Sequence, residues 1–321
     1  MEQTVPPELR QWIGARFGSR ASFGYPLGRC STLGVGGPAE VLVRAGNEEE
    51  LFDLLSLAAR SGVALTVLGR GSNVLIADEG LSGVVIRLAG DFSRIRVLEG
   101  REGSAELYAG AAAPLPGLCL FAARRGLAGL GFASGIPGSV GGAIMGNAGA
   151  HGSSMSEVMT GFFITRPEAR RVFIESGAVS WCYRGFAPNP EVFGAPGRPS
   201  VITGAHFRLK PGEPEDLLAE RKALIARRKA TQPVTERSAG CFFKNPSPGK
   251  SAGELIDRAG FKGFSLGGAR VSEKHANYFV NTGSARAADF LELIQVVTEG
   301  VQRRFGVALE PEVKILADHQ A

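Results

Sequence analysis

The chain has 321 residues, 44% hydrophobic and 21% charged, the proportions of a globular protein of two or three domains, which excludes a disordered, collagenous or coiled-coil chain. Thirty-six basic against 31 acidic residues leave a net charge of +5, enough to suit an anionic small molecule and too little for a nucleic-acid footprint. Four scattered cysteines (Cys30, Cys119, Cys182, Cys241) form no C-x-x-C pair, so no disulfide framework or metal site is expected and a reducing compartment fits.

The first residues lack a basic region followed by an apolar stretch, so no secretory signal is expected. The uncharged stretch from Gly126 to Ser156 is long enough to span a bilayer, but it is dense in glycine and interrupted by Pro137. It reads as a buried or ligand-facing loop region, and no membrane association is expected. Glycine is the compositional outlier, at 45 residues roughly twice ordinary usage, which points to tight turns or ligand-cradling loops.

In chain order, Asn47 can cap a helix from Glu48 to about Ser61, with Leu51, Leu54, Leu55 and Ala58 on one face. Val63 to Leu68 then reads as a strand, followed by the loop Gly69-Arg-Gly-Ser-Asn73 and apolar runs at Val74–Ile76 and Val84–Leu88, an α/β alternation. Short alternating runs between about 93 and 110 and again from 159 to 208 suggest antiparallel strands. Pro211-Gly-Glu-Pro marks a break before a charged helix from Glu215 to Ala230. Helices over Ala252–Ala259 and Ala285–Phe305 and strands at Tyr278–Val280 and Val313–Leu316 make the last third a compact α+β unit.

Gly69-Arg70-Gly71-Ser72-Asn73 follows a strand but lacks the third glycine of G-x-G-x-x-G and leads into no helix, so it is no Rossmann fingerprint. Its amides could form an anion nest, or it could be an ordinary turn. Gly135-Ile136-Pro137-Gly138-Ser139-Val-Gly141-Gly142, with Asn147 beyond it, is denser in glycine than turns require and suits backbone contact with a flat or anionic ligand; a packing seam of small residues is the alternative. Cys241, in Ser238-Ala-Gly-Cys-Phe-Phe-Lys244-Asn245, could be a proton donor or an inert core thiol. Tyr183-Arg184 and Leu309-Glu-Pro-Glu312 offer a cation and a carboxylate that could serve an anionic intermediate or a surface ion pair, and His275 could lie near such a site.

These segments in this order, from about Ser31 to Leu316, resemble the flavoprotein UDP-N-acetylenolpyruvoylglucosamine reductases of bacterial peptidoglycan synthesis. The motifs that carry the likeness are Thr32-Leu-Gly-Val-Gly-Gly, Gly69 to Asn73, Ser134-Gly-Ile-Pro-Gly-Ser-Val-Gly-Gly with Asn147-Ala-Gly, Tyr183-Arg184, Ser238-Ala-Gly-Cys-Phe-Phe-Lys-Asn-Pro, Lys274-His-Ala-Asn277 and Leu309-Glu-Pro-Glu. The resemblance implies an α+β protein. A FAD-binding domain of the vanillyl-alcohol-oxidase (PCMH) type would occupy two subdomains, 1–90 and 91–212, and a substrate domain 213–321. The two glycine clusters would then hold FAD, with Gly69 to Asn73, Gly135 to Ser139, Gly141, Gly142 and Asn147 as cofactor contacts.

The chemistry implied is reduction of FAD by NADPH, then hydride delivery to the terminal vinyl carbon of an enolpyruvyl ether. Arg184 and Glu312 would stabilise the developing enolate-like charge and Cys241 would supply the proton, with Tyr183, Lys244 and Asn245 contacting the UDP-sugar. Cys241 stands where the family usually has serine, Gly185-Phe186 follows Tyr183-Arg184 in place of a polar residue and serine, and Gly131 stands where an acid is common. The shorter family form is indicated by the lack of a tyrosine-bearing insertion. A cytoplasmic monomer acting in cell wall biogenesis, and through it in cell shape and division, is expected. A FAD-dependent oxidase of the same superfamily with another substrate, or a flavin-binding protein without turnover, is the alternative.

Overall fold

A computed structural model describes residues 4–98, 105–187, 193, 200–246 and 249–318. Each strong local signal yields its element. The helix Glu48–Ser61 starts where the Asn47 side chain accepts from Glu50 N (2.9 Å), carries three acids in its first turn and closes on Gly62 in the left-handed conformation. Its apolar stripe Leu51, Leu54, Leu55 and Ala58 is fully buried. The helix Ala287–Phe305 likewise buries Phe290, Leu293, Val297 and Val301 and ends on Gly306 at φ 67. Its first two amides donate to the Asp78 carboxylate (2.8 and 3.0 Å), a cap supplied from far away in sequence.

The chain forms two compact units that interleave in sequence. One holds residues 1–23, 40–69 and 82–226; the other holds 24–39, 70–81 and 227–321. In the first unit a four-stranded sheet has the order Ala21–Pro26, Pro38–Ala45, Leu81–Leu88, Leu65–Val67, the last pair parallel. The helices Pro7–Phe17 and Glu48–Ser61 share a core with it through Ile13, Val41, Val43, Leu54 and Ile86. A second core in the same unit lies under an antiparallel sheet in the order Ala169–Glu175, Met159–Arg166, Val201–Pro211, Ala105–Gly110, Ile95–Leu98, around Phe162, Phe207, Leu107 and Leu118.

The second unit centres on the antiparallel sheet Arg237–Cys241, Tyr278–Asn281, Ala269–Val271, Ser265–Leu266. Lys314–Leu316 pairs in parallel with Val74–Ile76 in the same unit. Phe242, Phe243, Phe279 and Phe290 fill its core.

The α+β class expected from the sequence is observed. Glycine-rich 126–156, read as loop, contains a short helix, Val140–Met145, because Ser139 supplies its cap. Helices at Pro7–Phe17 and Leu115–Ala123 and strands at Ala21–Pro26 and Pro38–Ala45 lie where no element was expected. Among the described residues no helix is long and apolar enough to cross a membrane, and none of the four cysteines is in a disulfide.

Candidate active site

In the first unit the second glycine cluster folds back on the end of the strand Leu65–Val67. A Cβ on Gly69 would lie 2.7 Å from Ser139 Oγ, so the two glycine-rich segments touch only because residue 69 has no side chain. Ser139 is buried, its Oγ accepts from Gly142 N (3.3 Å), and its backbone bridges Pro114 through Leu115 N to Gly138 O (3.0 Å) and Val140 N to Ala113 O (2.9 Å). The amides of Gly135, Gly138 and Ser139 meet no acceptor among the described residues.

The Arg184 hairpin belongs to this unit. Trp181–Cys182 pairs with Gly185–Phe186, leaving Tyr183 and Arg184 as the turn. Arg184 has φ 62, a left-handed position that costs a side-chain-bearing residue about 1–2 kcal/mol. Its guanidinium stacks 5.0 Å from the Tyr183 ring, and its Nη1 donates to Gly149 O (2.8 Å). Buried Asn147 donates its amide to Cys182 O (3.1 Å) and accepts from Ser156 N (3.1 Å), tying the hairpin to the segment after the glycine cluster. Its side chain thus holds the frame around Arg184. Phe186 meets Trp181 edge-on (5.5 Å) and stacks on Phe193 (4.7 Å), so an aromatic anchor occupies the position where the polar pair is usual.

The space beside Gly131 is filled from another element. A Cβ at that position would lie 2.7 Å from Glu220 Oε1, so a carboxylate from the helix Pro214–Thr231 sits where residue 131 offers none.

In the second unit Gly71 is buried at φ 64, and a Cβ on it would stand 2.0 Å from Cys30 O; only glycine fits. Thr32 fixes this loop against the strand of Cys241. Its amide donates to Gly71 O (3.0 Å), and its hydroxyl lies 2.7 Å from Ser238 O and 3.2 Å from Gly71 O. Asn73 Nδ2 donates to Glu312 O (3.2 Å), and Lys314 N to Asn73 O (3.1 Å). The amides of Arg70, Gly71 and Asn73 meet no acceptor among the described residues.

Cys241 ends the strand Arg237–Cys241, and the next residues are clamped on both sides. Buried Asn277 accepts from Phe243 N (2.9 Å) and donates to Phe243 O (2.8 Å), while Phe242 N donates to Asn277 O (2.8 Å). On the other side Glu312 N donates to Phe242 O (2.8 Å) and Lys244 N to Glu310 O (2.9 Å). Lys274-His-Ala-Asn277 and Leu309-Glu-Pro-Glu312 thus set Cys241 and Glu312 one residue step apart across a backbone hydrogen bond. Lys244 Nζ forms an ion pair with Glu310, and Asn245 Oδ1 accepts from Ala252 N (3.1 Å).

Tyr278 and Arg228 enter this site without a sequence signal. Tyr278 lies directly opposite Cys241 in the sheet and is buried. Burial pushes its hydroxyl pKa up, and the adjacent, hydrogen-bonded Cys241 and the Glu312 carboxylate push it further, against the nearby Arg228. Arg228 Nε is buried with no hydrogen-bond partner among the described residues. His275 is half-buried, its ring edge-on to Tyr278 at 4.8 Å, and burial lowers its pKa.

Within each unit, taken by itself, the unspent amides beside glycines are donors of the kind a pyrophosphate takes up, since it needs several N–H groups and close backbone approach. The Gly135, Gly138 and Ser139 amides of the first unit are by themselves a donor set that fits the pyrophosphate of FAD.

Comparison with known proteins agrees. Residues 39–168 match the model of an FAD-binding domain, and residues 232–316 that of the UDP-N-acetylenolpyruvoylglucosamine reductase C-terminal domain. The reductase of Desulfosudis oleivorans is 44% identical over 96% of this chain and 98% of its own, and reductase 2 of Symbiobacterium thermophilum 41% over 90% of both. The crystal structure of the UDP-N-acetylenolpyruvylglucosamine reductase from Thermus caldophilus superposes with a TM-score of 0.76 at 36% identity, covering 92% of this chain and 98% of that one. The expected FAD-binding domain stands, and an oxidase acting on another substrate is not favoured. With both domains matched in order and relatives alike along nearly their whole length, the chain belongs to the UDP-N-acetylenolpyruvoylglucosamine reductase family.

Proposed function

We propose that this chain is an NADPH-dependent flavoenzyme that reduces the enolpyruvyl ether of UDP-N-acetylglucosamine to UDP-N-acetylmuramate in cytoplasmic peptidoglycan precursor synthesis. The observation that carries the reading is the hydrogen-bonded frame joining Asn73 of the glycine loop, Glu312 and the Cys241 strand. Gly69 to Asn73, Gly135 to Ser139, Gly141, Gly142 and Asn147 would hold FAD, which when bound would supply two-electron hydride chemistry between NADPH and the terminal vinyl carbon of the substrate. Residues 1–90 and 91–212 serve as the two cofactor subdomains and 213–321 as the substrate domain.

The chain's own residues manage charge and proton. Arg184 faces the substrate carboxylate as the adjacent carbon gains enolate character, and Glu312 shares that charge as an acid. The Cys241 thiol then gives its proton to that carbon, so hydride and proton together saturate the double bond. Water later reprotonates the thiolate. A thiol of ordinary pKa about 8.5 is protonated at neutral pH and is a stronger acid than the serine hydroxyl usual here. Tyr183, Lys244 and Asn245 take the UDP-sugar, with Lys244 exchanging Glu310 for phosphate. The enzyme works as a monomer and engages neither nucleic acid nor membrane.

The test is spectroscopic. Purified protein should be yellow, should bleach with NADPH under anaerobic conditions, and should regain its colour on addition of the enolpyruvyl nucleotide. Bleaching that only oxygen reverses would sink the reading.

A further inference from the structure

We propose that Tyr278 is the positioning residue for the Cys241 proton donor: from the facing strand its hydroxyl holds the sulfur and stabilises the thiolate left when the proton departs. This rests on the reading of Cys241 as the donor. Cys241 and Tyr278 are direct partners in the antiparallel pairing, an arrangement fixed by the clamps of Asn277 and Glu312 on the residues that follow Cys241. Tyr278 is 7% exposed, its hydroxyl hydrogen-bonds Cys241, and its ring meets His275 edge-on at 4.8 Å. Its amide also donates to His275 O (2.9 Å), which adds to the strand pairing that fixes its backbone.

The titratable and charged groups facing this pair are Arg228, Glu312 and His275. Burial, then Cys241 and Glu312, keep the Tyr278 hydroxyl protonated through the working range. Tyr278 is thereby a weaker acid than an ordinary tyrosine and serves the sulfur as a hydrogen-bond donor. A donor that does not ionise favours the thiolate over the thiol and so makes Cys241 a stronger acid. The balance is simple: the Sγ–H bond breaks, a C–H bond forms on the substrate, Tyr278 keeps its own proton, and water restores the thiol.

Tyr278→Phe keeps the ring and its contact with His275 while removing the hydroxyl. Peptide-resolved iodoacetamide alkylation of Cys241, over a range bracketing the ordinary thiol pKa of about 8.5, should show the half-alkylation pH raised by about 1–2 units, the worth of one hydrogen bond to a charged acceptor. Reduction of the enolpyruvyl nucleotide at neutral pH should slow about three- to tenfold on a Brønsted slope of roughly one half, and its alkaline limb should move upward with the thiol. An unmoved half-alkylation pH in a variant that melts like the parent overturns the proposal even if the rate falls, because lost packing alone would not retitrate the thiol. If the parent protein fails to reduce the enolpyruvyl nucleotide, the functional reading fails, while alkylation still decides whether Tyr278 tunes Cys241.

Discussion

Glycine substitutions can separate a cofactor contact from a folding requirement, provided the position is chosen from the structure. Gly71 cannot serve: its Cβ would stand 2.0 Å from Cys30 O at φ 64, so any side chain there disrupts the fold before it meets a ligand. Gly142 is exposed on the short helix, and the one neighbour of its Cβ within 4 Å is Ser139 Oγ at 3.4 Å, ordinary contact. Valine exceeds glycine in helix propensity by a few tenths of a kcal/mol, so Gly142→Val should leave the flavin-free protein within about 0.5 kcal/mol of the parent. If the cofactor lies over this turn, the added methyl groups enter its space. Bound FAD at a hundredfold excess over its Kd stabilises the parent by about 2.7 kcal/mol, and that increment should vanish in the variant. The assay is urea unfolding with and without FAD, together with the flavin-to-protein absorbance ratio. Gly142→Val protein that keeps stoichiometric flavin and the full increment would show that the cofactor lies elsewhere.

Cys241→Ala should leave NADPH reduction of the flavin near normal while slowing reoxidation by the enolpyruvyl nucleotide about 10²–10⁴-fold, with Cys241→Ser restoring much of the loss; rapid-mixing absorbance reads both steps, and normal reoxidation in the alanine variant would make the thiol a packing residue. Arg184→Ala should share the reoxidation defect with flavin content intact, read by the same measurement. Glu50 accepts two hydrogen bonds from Arg20 (2.6 and 2.7 Å) and one from Gly46 N (2.8 Å), and the Arg20 guanidinium holds its carboxyl below the usual range despite burial. This contribution is present above the unfolded carboxylate pKa of about 4.3 and is lost as pH falls through the depressed native value. Glu50→Gln should therefore cost about 1–2 kcal/mol at neutral pH, allowing for solvent on the arginine, and progressively less towards pH about 3; equal urea midpoints at neutral pH would refute this.

What the sequence determined by itself is local. The helix Glu48–Ser61 was legible because its cap at Asn47 and its apolar spacing lie within one short window. The strands of the antiparallel sheet were legible for the same reason, and the motif order was enough to indicate the family. The glycine cluster was recognisable as denser in glycine than turns require, but its helix was not, since a single capping serine outweighed the helix-poor composition. Tertiary structure alone decided the rest. The helix Ala287–Phe305 takes its outer cap from Asp78, and Asn73 reaches Glu312, 239 residues further along the chain. Tyr278 faces Cys241 through a register set by the Asn277 and Glu312 clamps, and Glu220 fills the space beside Gly131. Periodicity and capping report which face of a segment is apolar and where it ends. They do not report which distant segment supplies a hydrogen-bond partner, because that choice minimises unsatisfied polar groups over the whole packed unit.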